Sequence, residues 1–339
     1  AGLLRLSALP QQEAWPYEGV YREDGGELPV GYRVGGTAIV CLGLIAAPGL
    51  EADAARREAI ERGVRFVLRQ LDEPRMQIDF VGNYDVRGWG HVYALQLLLH
   101  LHDRGLVPDG LADEVGERTR FLVRALVESA IPRRGGWNYS RPAGYRSPRN
   151  AASTFMTAPA LLSLFHARAR GHDVPDEVVD QALAALERAR AHSGAFAYGA
   201  PAKSRAEDQE SDLAMMDRTP GSVARNAACE LVLALAGRAD EARLLAAIEQ
   251  FFTHWDELAK RKSRTGTHVP PYGVAPYYFL FGHAYCAFAI ERLGESEQRE
   301  QLRQRLERIL WRSRDADGTW NDRHFPRSAA YGTAMALWT

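Results

Sequence analysis

The sequence predicts an all-α fold in which helical hairpins close into an (α/α)6 ring. Two observations predict it. Long segments rich in Ala, Leu, Arg and Glu repeat their apolar residues with a helical period, and alternating β-branched runs are rare. Between them lie segments with few charges and many Gly, Ala, Thr and aromatic residues, as expected for helices buried on all sides.

The charged segments are interpreted as outer helices. Each carries Arg and Glu on one side and Leu, Ile, Val or Phe on the other, which predicts one solvated face. They cover residues 56–71, 113–128, 176–191, 241–260 and 297–312.

The apolar segments are interpreted as inner helices because their starts resemble one another. Gly36-Thr37 matches Gly332-Thr333, and Gly90-His91 matches Gly282-His283. Six such starts predict a closed ring, since closure buries the end repeats that an open solenoid has to cap. The starts fall near residues 31, 84, 149, 225, 277 and 331.

We expect a single toroid domain over residues 31–339, with residues 1–30 as an extension packed on the ring where a sixth outer helix would stand. Residues 203–220 are polar and poorly periodic, which predicts a long loop over one mouth, either a lid or a disordered segment. The chain begins at Ala1 rather than Met, which favours an exported bacterial protein with a cleaved signal peptide.

Composition argues against several classes of protein. The formal net charge is -1 and no basic face is interleaved with aromatic residues, which argues against a nucleic-acid partner. No apolar run reaches the roughly 18 residues of a transmembrane helix. The three cysteines are far apart and read as buried thiols, and no metal or cofactor motif is present, so we predict neither a metal nor a cofactor.

Turns that follow outer helices carry a further pattern, a glycine and then an aromatic residue. They are Gly135-Gly136-Trp137, Gly194-Ala195-Phe196 and Asp317-Gly318-Thr319-Trp320. In these turns the chain resembles the terpenoid cyclase and protein prenyltransferase superfamily, including squalene–hopene cyclases, whose QW repeat is a structural clamp. Arg314 stands where the family has glutamine. The resemblance implies the toroid and its cavity, but the family's D-x-D-D, D-D-x-x-D and D-x-C motifs are missing.

Three hypotheses about function follow. The first is a cavity that binds or transforms an apolar, isoprenoid-like ligand by acid catalysis, with cyclase, isomerase or lyase chemistry. The second is a carbohydrate-active toroid in which paired carboxylates flank a glycosidic bond. The third is a non-catalytic helical scaffold or binding protein. The sequence leaves open whether the protein is an enzyme, and its oligomeric state.

Glu230 is the first of five candidates for acid–base chemistry. It lies inside an apolar inner helix, where a buried carboxylate needs a partner. Arg225 lies about one turn before it, so an ion pair and a catalytic acid are both open. The full set is Glu230, Asp85, His91, His283 and Asp322.

The two histidines occupy equivalent places in repeats two and five, which face each other across a six-membered ring. They could flank a ligand from opposite walls. The alternative is a hydrogen-bonding slot within each hairpin, because the equivalent residue in other repeats is Thr37, Thr157 or Thr333.

Asp85 either caps the second inner helix or forms an acid–base pair with His91. Asp322 and Arg323 precede the sixth inner helix as Asp85 precedes the second, which favours a place at the cavity mouth.

Residues 272–285 are the most aromatic part of the chain and follow a proline-rich loop, which favours either core packing or a wall that shapes a ligand. Polar groups at inner-helix starts are further candidates for binding. The predicted substrate-binding residues are Tyr84, Arg87, Arg149, Arg225, Tyr272, Tyr277, Tyr278, Phe281, Arg323 and Tyr331.

Overall fold

The computed structural model describes residues 13–19, 21–81, 86–138, 151–264, 266–322 and 326–339. Within these ranges it contains twelve α-helices, and the only β pairings are three isolated bridges. The inner helices are α1 (Val30–Ala46), α3 (Arg87–Asp103), α5 (Thr154–Ala169), α7 (Thr219–Leu235), α10 (Pro276–Arg292) and α12 (Ala329–Trp338). The outer helices are α2 (Ala54–Gln70), α4 (Ala112–Ser129), α6 (Asp176–Ala189), α8 (Glu241–Thr253) with its short continuation α9 (Trp255–Ala259), and α11 (Glu297–Arg312). The all-α prediction is confirmed.

The inner helices form a closed ring. Each packs against the next, and α12 packs against α1. Each of the five outer helices packs on the inner helix that precedes it. No helix in the described part of the chain is long and apolar enough to cross a membrane.

One inner helix begins well before its predicted start. Helix α7 begins at Thr219 rather than near residue 225, because Pro220 lies in its first turn, where a missing N–H costs no hydrogen bond. The polar segment 203–220 therefore ends inside a helix. Before that it forms two short 3-10 turns, Glu210–Asp212 and Met215–Asp217.

The same hydrogen bond fastens a loop to the inner ring in three repeats. A tryptophan backbone N–H donates to the hydroxyl of a threonine in the first two turns of an inner helix. The pairs are Trp15–Thr37 (2.9 Å), Trp137–Thr157 (3.1 Å) and Trp320–Thr333 (3.2 Å). In the first repeat, the segment before α1 thus makes the contact that a turn after an outer helix makes in the other two.

Trp320 shows why these turns act as clamps. Its indole Nε1–H donates to the carbonyl of Leu310 at the end of α11 (2.9 Å), and the Arg314 guanidinium lies over its ring. Gly332 allows the approach, because a Cβ there would lie 2.4 Å from the Trp320 carbonyl oxygen. Trp320 therefore joins an outer helix to an inner one, as the resemblance implied.

Candidate functional site

Aromatic side chains fill the centre of the ring. Tyr93 on α3 reaches Tyr285 on α10 across the ring, with their hydroxyl oxygens 3.4 Å apart. Phe281 packs on Tyr285 with ring centroids 4.2 Å apart, and Tyr331 on α12 stacks on Tyr277. Among the described residues, the interior of the toroid is thus a packed aromatic core rather than an open channel.

A cavity of about 230 Å³ lies at the mouth where the inner helices begin. Its wall combines the starts of α3, α5 and α10 with the segment before α1. No aspartate or glutamate belongs to the described part of this wall. Its principal aromatic residues are Tyr17, Tyr32, Trp89, Phe155, Tyr277 and Tyr278.

Two of the predicted aromatic residues line the cavity. Tyr277 forms part of its wall, and Tyr278 stacks on Phe155 with ring centroids 4.3 Å apart. Burial raises the pKa of both tyrosines to about 12, so both hydroxyls stay protonated at neutral pH. Phe281 lies one turn further along α10, in the aromatic core, and Tyr272 packs at the edge of that core outside the cavity wall.

Asp322 is a buried carboxylate directly behind the cavity wall. It is 0% exposed, and the hydroxyl of Tyr17, a wall residue, donates to its Oδ2 over 3.5 Å. The backbone beside Asp322 is held in place, because Lys262 donates to the carbonyl of the preceding residue, Asn321 (2.8 Å). Tyr17 thus connects a carboxyl group with the cavity.

Glu230 lies on the other side of its helix. Its carboxylate pairs with Arg190 (2.5 Å) and Arg243 (2.8 Å), which lie just after α6 and on α8. Arg225 pairs instead with Asp217 (3.0 Å) and donates to the backbone carbonyls of Phe196, Met216 and Gly221. It thus joins α7 to the turn before it and to the segment after α6. Neither Glu230 nor Arg225 belongs to the cavity wall.

The two histidines lie in equivalent contacts between inner helices and the segments that pack outside them. The ring of His91 hydrogen-bonds the carbonyl of Met76 through Nε2 (2.9 Å), and Trp255 Nε1–H donates to Nε2 of His283 (2.9 Å). Arg87 likewise donates to the carbonyl of Phe80 (3.0 Å). These three side chains lie outside the cavity wall.

Burial lowers the pKa of His91 to about 3 and that of His283 to about 4. Both rings are therefore neutral in the folded protein at neutral pH. A neutral His283 accepts at Nε2 from Trp255 and donates its Nδ1–H to the carbonyl of Phe279 (2.7 Å).

The histidine pKa values predict a stability that falls in mild acid. Unfolded histidine takes up a proton below pH 6.5, whereas His283 in the folded protein does so only near pH 4. The stability that neutral His283 contributes is therefore lost as the pH falls from 6.5 to 4. Between pH 7 and pH 4.5, we expect the free energy of unfolding to fall by roughly 2–3 kcal/mol more in wild type than in His283→Gln. Urea unfolding measures this, with exposed His192→Gln as the control. Equal pH dependence in wild type and His283→Gln would contradict it.

Four predicted residues, Tyr84, Asp85, Arg149 and Arg323, lie outside the described residues. Within the described part of the chain, no three histidine, cysteine, aspartate or glutamate side chains are grouped to hold a metal ion.

Sequence reasoning missed most of the cavity wall. Tyr17 precedes the ring, Trp89 and Phe155 lie in the first turn of inner helices, and Met216 lies in the polar segment before α7. An aromatic residue within the first turn recurs in α3, α5 and α10, and this signal was available in the sequence.

Neither a protein-family model nor a curated protein sequence matches the chain. Solved structures do match it. The GH76A α-1,6-mannanase of Salegentibacter sp. HEL1_6 gives a TM-score of 0.60 at 11% identity, over 99% of this chain and 97% of that chain. Its inactive variant in complex with α-1,6-mannotriose gives 0.58 at 12% identity, over the same shares.

The type II terpene cyclase MstE from Scytonema is a second kind of match. A variant in complex with its substrate, geranylgeranyl dihydroxybenzoate, gives a TM-score of 0.53 at 15% identity, over 99% of this chain and 93% of that chain. The chain is therefore an (α/α)6 toroid, the fold that the sequence predicted. At these identities the likeness shows the fold alone. The two matching proteins differ in ligand, since one is bound to a sugar oligomer and the other to a prenylated compound.

Proposed function

We propose that the protein binds an apolar, isoprenoid-like ligand in the aromatic cavity and transforms it by acid catalysis. The observation that carries the proposal is the wall itself, which includes eight tyrosine, tryptophan and phenylalanine residues and, among its described residues, no carboxylate. Apolar and aromatic walls suit an apolar ligand, and aromatic faces stabilise a cation that develops on it.

Asp322 is the proposed acid in this reaction. When Asp322 is protonated, its O–H donates to the oxygen of Tyr17, and the Tyr17 hydroxyl hydrogen turns to the ligand. A proton then moves from the Asp322 carboxyl group to the oxygen of Tyr17 while the Tyr17 hydroxyl hydrogen moves to a double bond of the ligand. The carboxylate left on Asp322 takes the proton back when the cationic intermediate loses one. Tyr17 touches both the carboxylate and the cavity, which is the geometry that such a transfer requires.

The cavity volume limits the ligand. About 230 Å³ is slightly below the roughly 300–1,000 Å³ of typical small-molecule sites. We therefore infer a compact ligand, or one whose far end leaves through the mouth past Thr267 and His268.

A second candidate is a non-catalytic binding protein for the same ligand class, favoured by the filled centre of the ring. Incubation with linear prenyl alcohols and with α-1,6-mannotriose, followed by chromatography and mass spectrometry, separates the possibilities. New products from the prenyl alcohols support the first proposal, and binding without products supports the second. Cleavage of mannotriose would overturn both.

Adjacent methionines allow a matched test of where the ligand binds. Met216 belongs to the cavity wall, whereas Met215 is 38% exposed and lies outside it. We expect Met216→Trp to weaken binding of geraniol by at least about tenfold, a loss of roughly 1.4 kcal/mol, because the larger side chain occupies the cavity. Calorimetric titration measures this. Met215→Trp should bind like wild type, and equal losses in the two variants would place the ligand elsewhere.

A further inference from the structure

Four tyrosine hydroxyls lie close together beneath the cavity. Tyr93 Oη lies 3.3 Å from Tyr277 Oη and 3.4 Å from Tyr285 Oη. Tyr331 stacks on Tyr277, and its pKa is raised by burial and by the neighbouring Tyr277. Burial likewise raises the pKa of Tyr93 and Tyr285. All four hydroxyls therefore keep their hydrogens at neutral pH and act as donors.

The direction of this hydrogen-bond chain follows from counting donors and acceptors. The indole N–H of Trp89 can only donate, and it donates to Tyr277 Oη (3.0 Å). At the other end, the amide nitrogen of Gln96 donates to the carbonyl of Pro159 (3.5 Å). Burial raises the pKa of the Tyr285 hydroxyl, whereas the hydrogen bond from Gln96 lowers that pKa, which is the effect of a donor. Gln96 therefore donates to Tyr285 through its amide nitrogen.

The hydroxyls of Tyr277, Tyr93 and Tyr285 carry three hydrogens, but only two oxygen–oxygen contacts join them. One of the three hydrogens therefore has no acceptor among these hydroxyls. If it belonged to Tyr285, a buried donor would have no acceptor, which costs free energy. If Tyr285 donates to Tyr93 and Tyr93 to Tyr277, the spare hydrogen belongs to Tyr277, which lines the cavity. The second arrangement is the more stable one, because a ligand atom can accept there.

Tyr331 supplies a second spare donor. It is 0% exposed, and its hydroxyl has no hydrogen-bond partner among the described residues. Its ring lies against Tyr17 and Tyr277, which are both wall residues, with centroids 4.6 Å and 6.0 Å away. The Tyr331 hydroxyl thus lies directly behind the wall, whereas Tyr277 itself forms part of the wall.

We propose that the hydroxyl of Tyr277, a wall residue, donates a hydrogen bond to an acceptor oxygen of the ligand, so that the ligand is an oxygenated apolar compound, an alcohol, ether or ketone, rather than a pure hydrocarbon. This inference rests on the proposed function and narrows its substrate class. A buried site built to hydrogen-bond an oxygen discriminates against an analogue that lacks it, because the donors would then stay unpaired.

A pair of ligands that differ by one oxygen tests the inference. The probes are geraniol and its deoxy hydrocarbon, titrated by calorimetry into the full chain. We expect wild type to bind geraniol roughly tenfold more tightly than the hydrocarbon. Tyr277→Phe should remove most of that preference by weakening the binding of geraniol. Tyr331→Phe should keep the preference, because its hydroxyl lies behind the wall. Tyr331→Phe should fold normally, because it deletes an unpaired hydroxyl and keeps the ring.

Tyr272→Phe is a further control, since Tyr272 lies outside the cavity wall. It should keep the wild-type preference. If wild type binds both probes equally, the inference is overturned while the proposed apolar site stands. If neither probe binds, the proposed function fails and the inference fails with it. If Tyr277→Phe keeps the wild-type preference, the Tyr277 hydroxyl does not bind the ligand oxygen and the inference is again overturned.

Discussion

Replacement of Asp322 by Asn is expected to lower product formation from a prenyl alcohol by at least about 100-fold, the lower end of what a positioned general acid contributes. The amide keeps the size of the carboxyl group and still accepts the hydrogen bond from Tyr17, but it has no acidic proton to deliver. The rate is measured from organic extracts by chromatography and mass spectrometry. Binding of geraniol should stay close to wild type, since Asp322 lies behind the wall.

Glu230→Gln is the matched control for this prediction, because it neutralises the other fully buried carboxylate among our candidates. It should keep its catalytic rate and lose stability, roughly 3 kcal/mol, since Arg190 and Arg243 are left without their shared partner. Wild-type turnover by Asp322→Asn would exclude Asp322 as the acid. Loss of turnover in a folded Glu230→Gln protein would return that role to Glu230.

The fold was predictable because the residue pattern within each helical segment shows which kind of helix it forms. Outer helices need one polar face and inner helices need small residues, so each class leaves its own signature in a single segment. The outer helix predicted over residues 297–312 has those bounds in the structure, as Glu297–Arg312. Six hairpin starts then favour a closed ring, because an open solenoid has to cap its end repeats.

The partner of Glu230 was not predictable in the same way. An ion pair was one of the two expectations, but with Arg225, five residues earlier in the same helix. Residues five apart lie on different faces of an α-helix, unlike residues three or four apart. Glu230 therefore faces α8 and meets Arg243, while Arg225 faces the turns before α7 and meets Asp217.

The cavity wall was not predictable either, because it depends on which helices meet in the ring. Trp89, Phe155 and Tyr277 lie on three different inner helices, and Tyr277 bonds to Trp89 only because the ring brings α3 and α10 together. A single sequence carries the helical period but no signal for which helices meet across the ring. The histidines illustrate this point, because their alignment with threonines left open whether they flank a ligand or hydrogen-bond locally. The structure places each ring in a hydrogen bond outside the cavity wall.

Replacement of Trp320 by Ala is expected to lower the free energy of unfolding by about 3–5 kcal/mol. Trp320 is 6% exposed, and its loss opens a cavity between α11 and α12 and removes the hydrogen bond to Leu310. Denaturant unfolding measures the change. Trp311 is the matched control, because its ring touches Trp320 but is 53% exposed, so Trp311→Ala should cost less than about 1 kcal/mol. Similar losses in both variants would contradict the clamp. Asp322 lies two residues beyond Trp320, so Trp320→Ala should also slow turnover while Trp311→Ala should not.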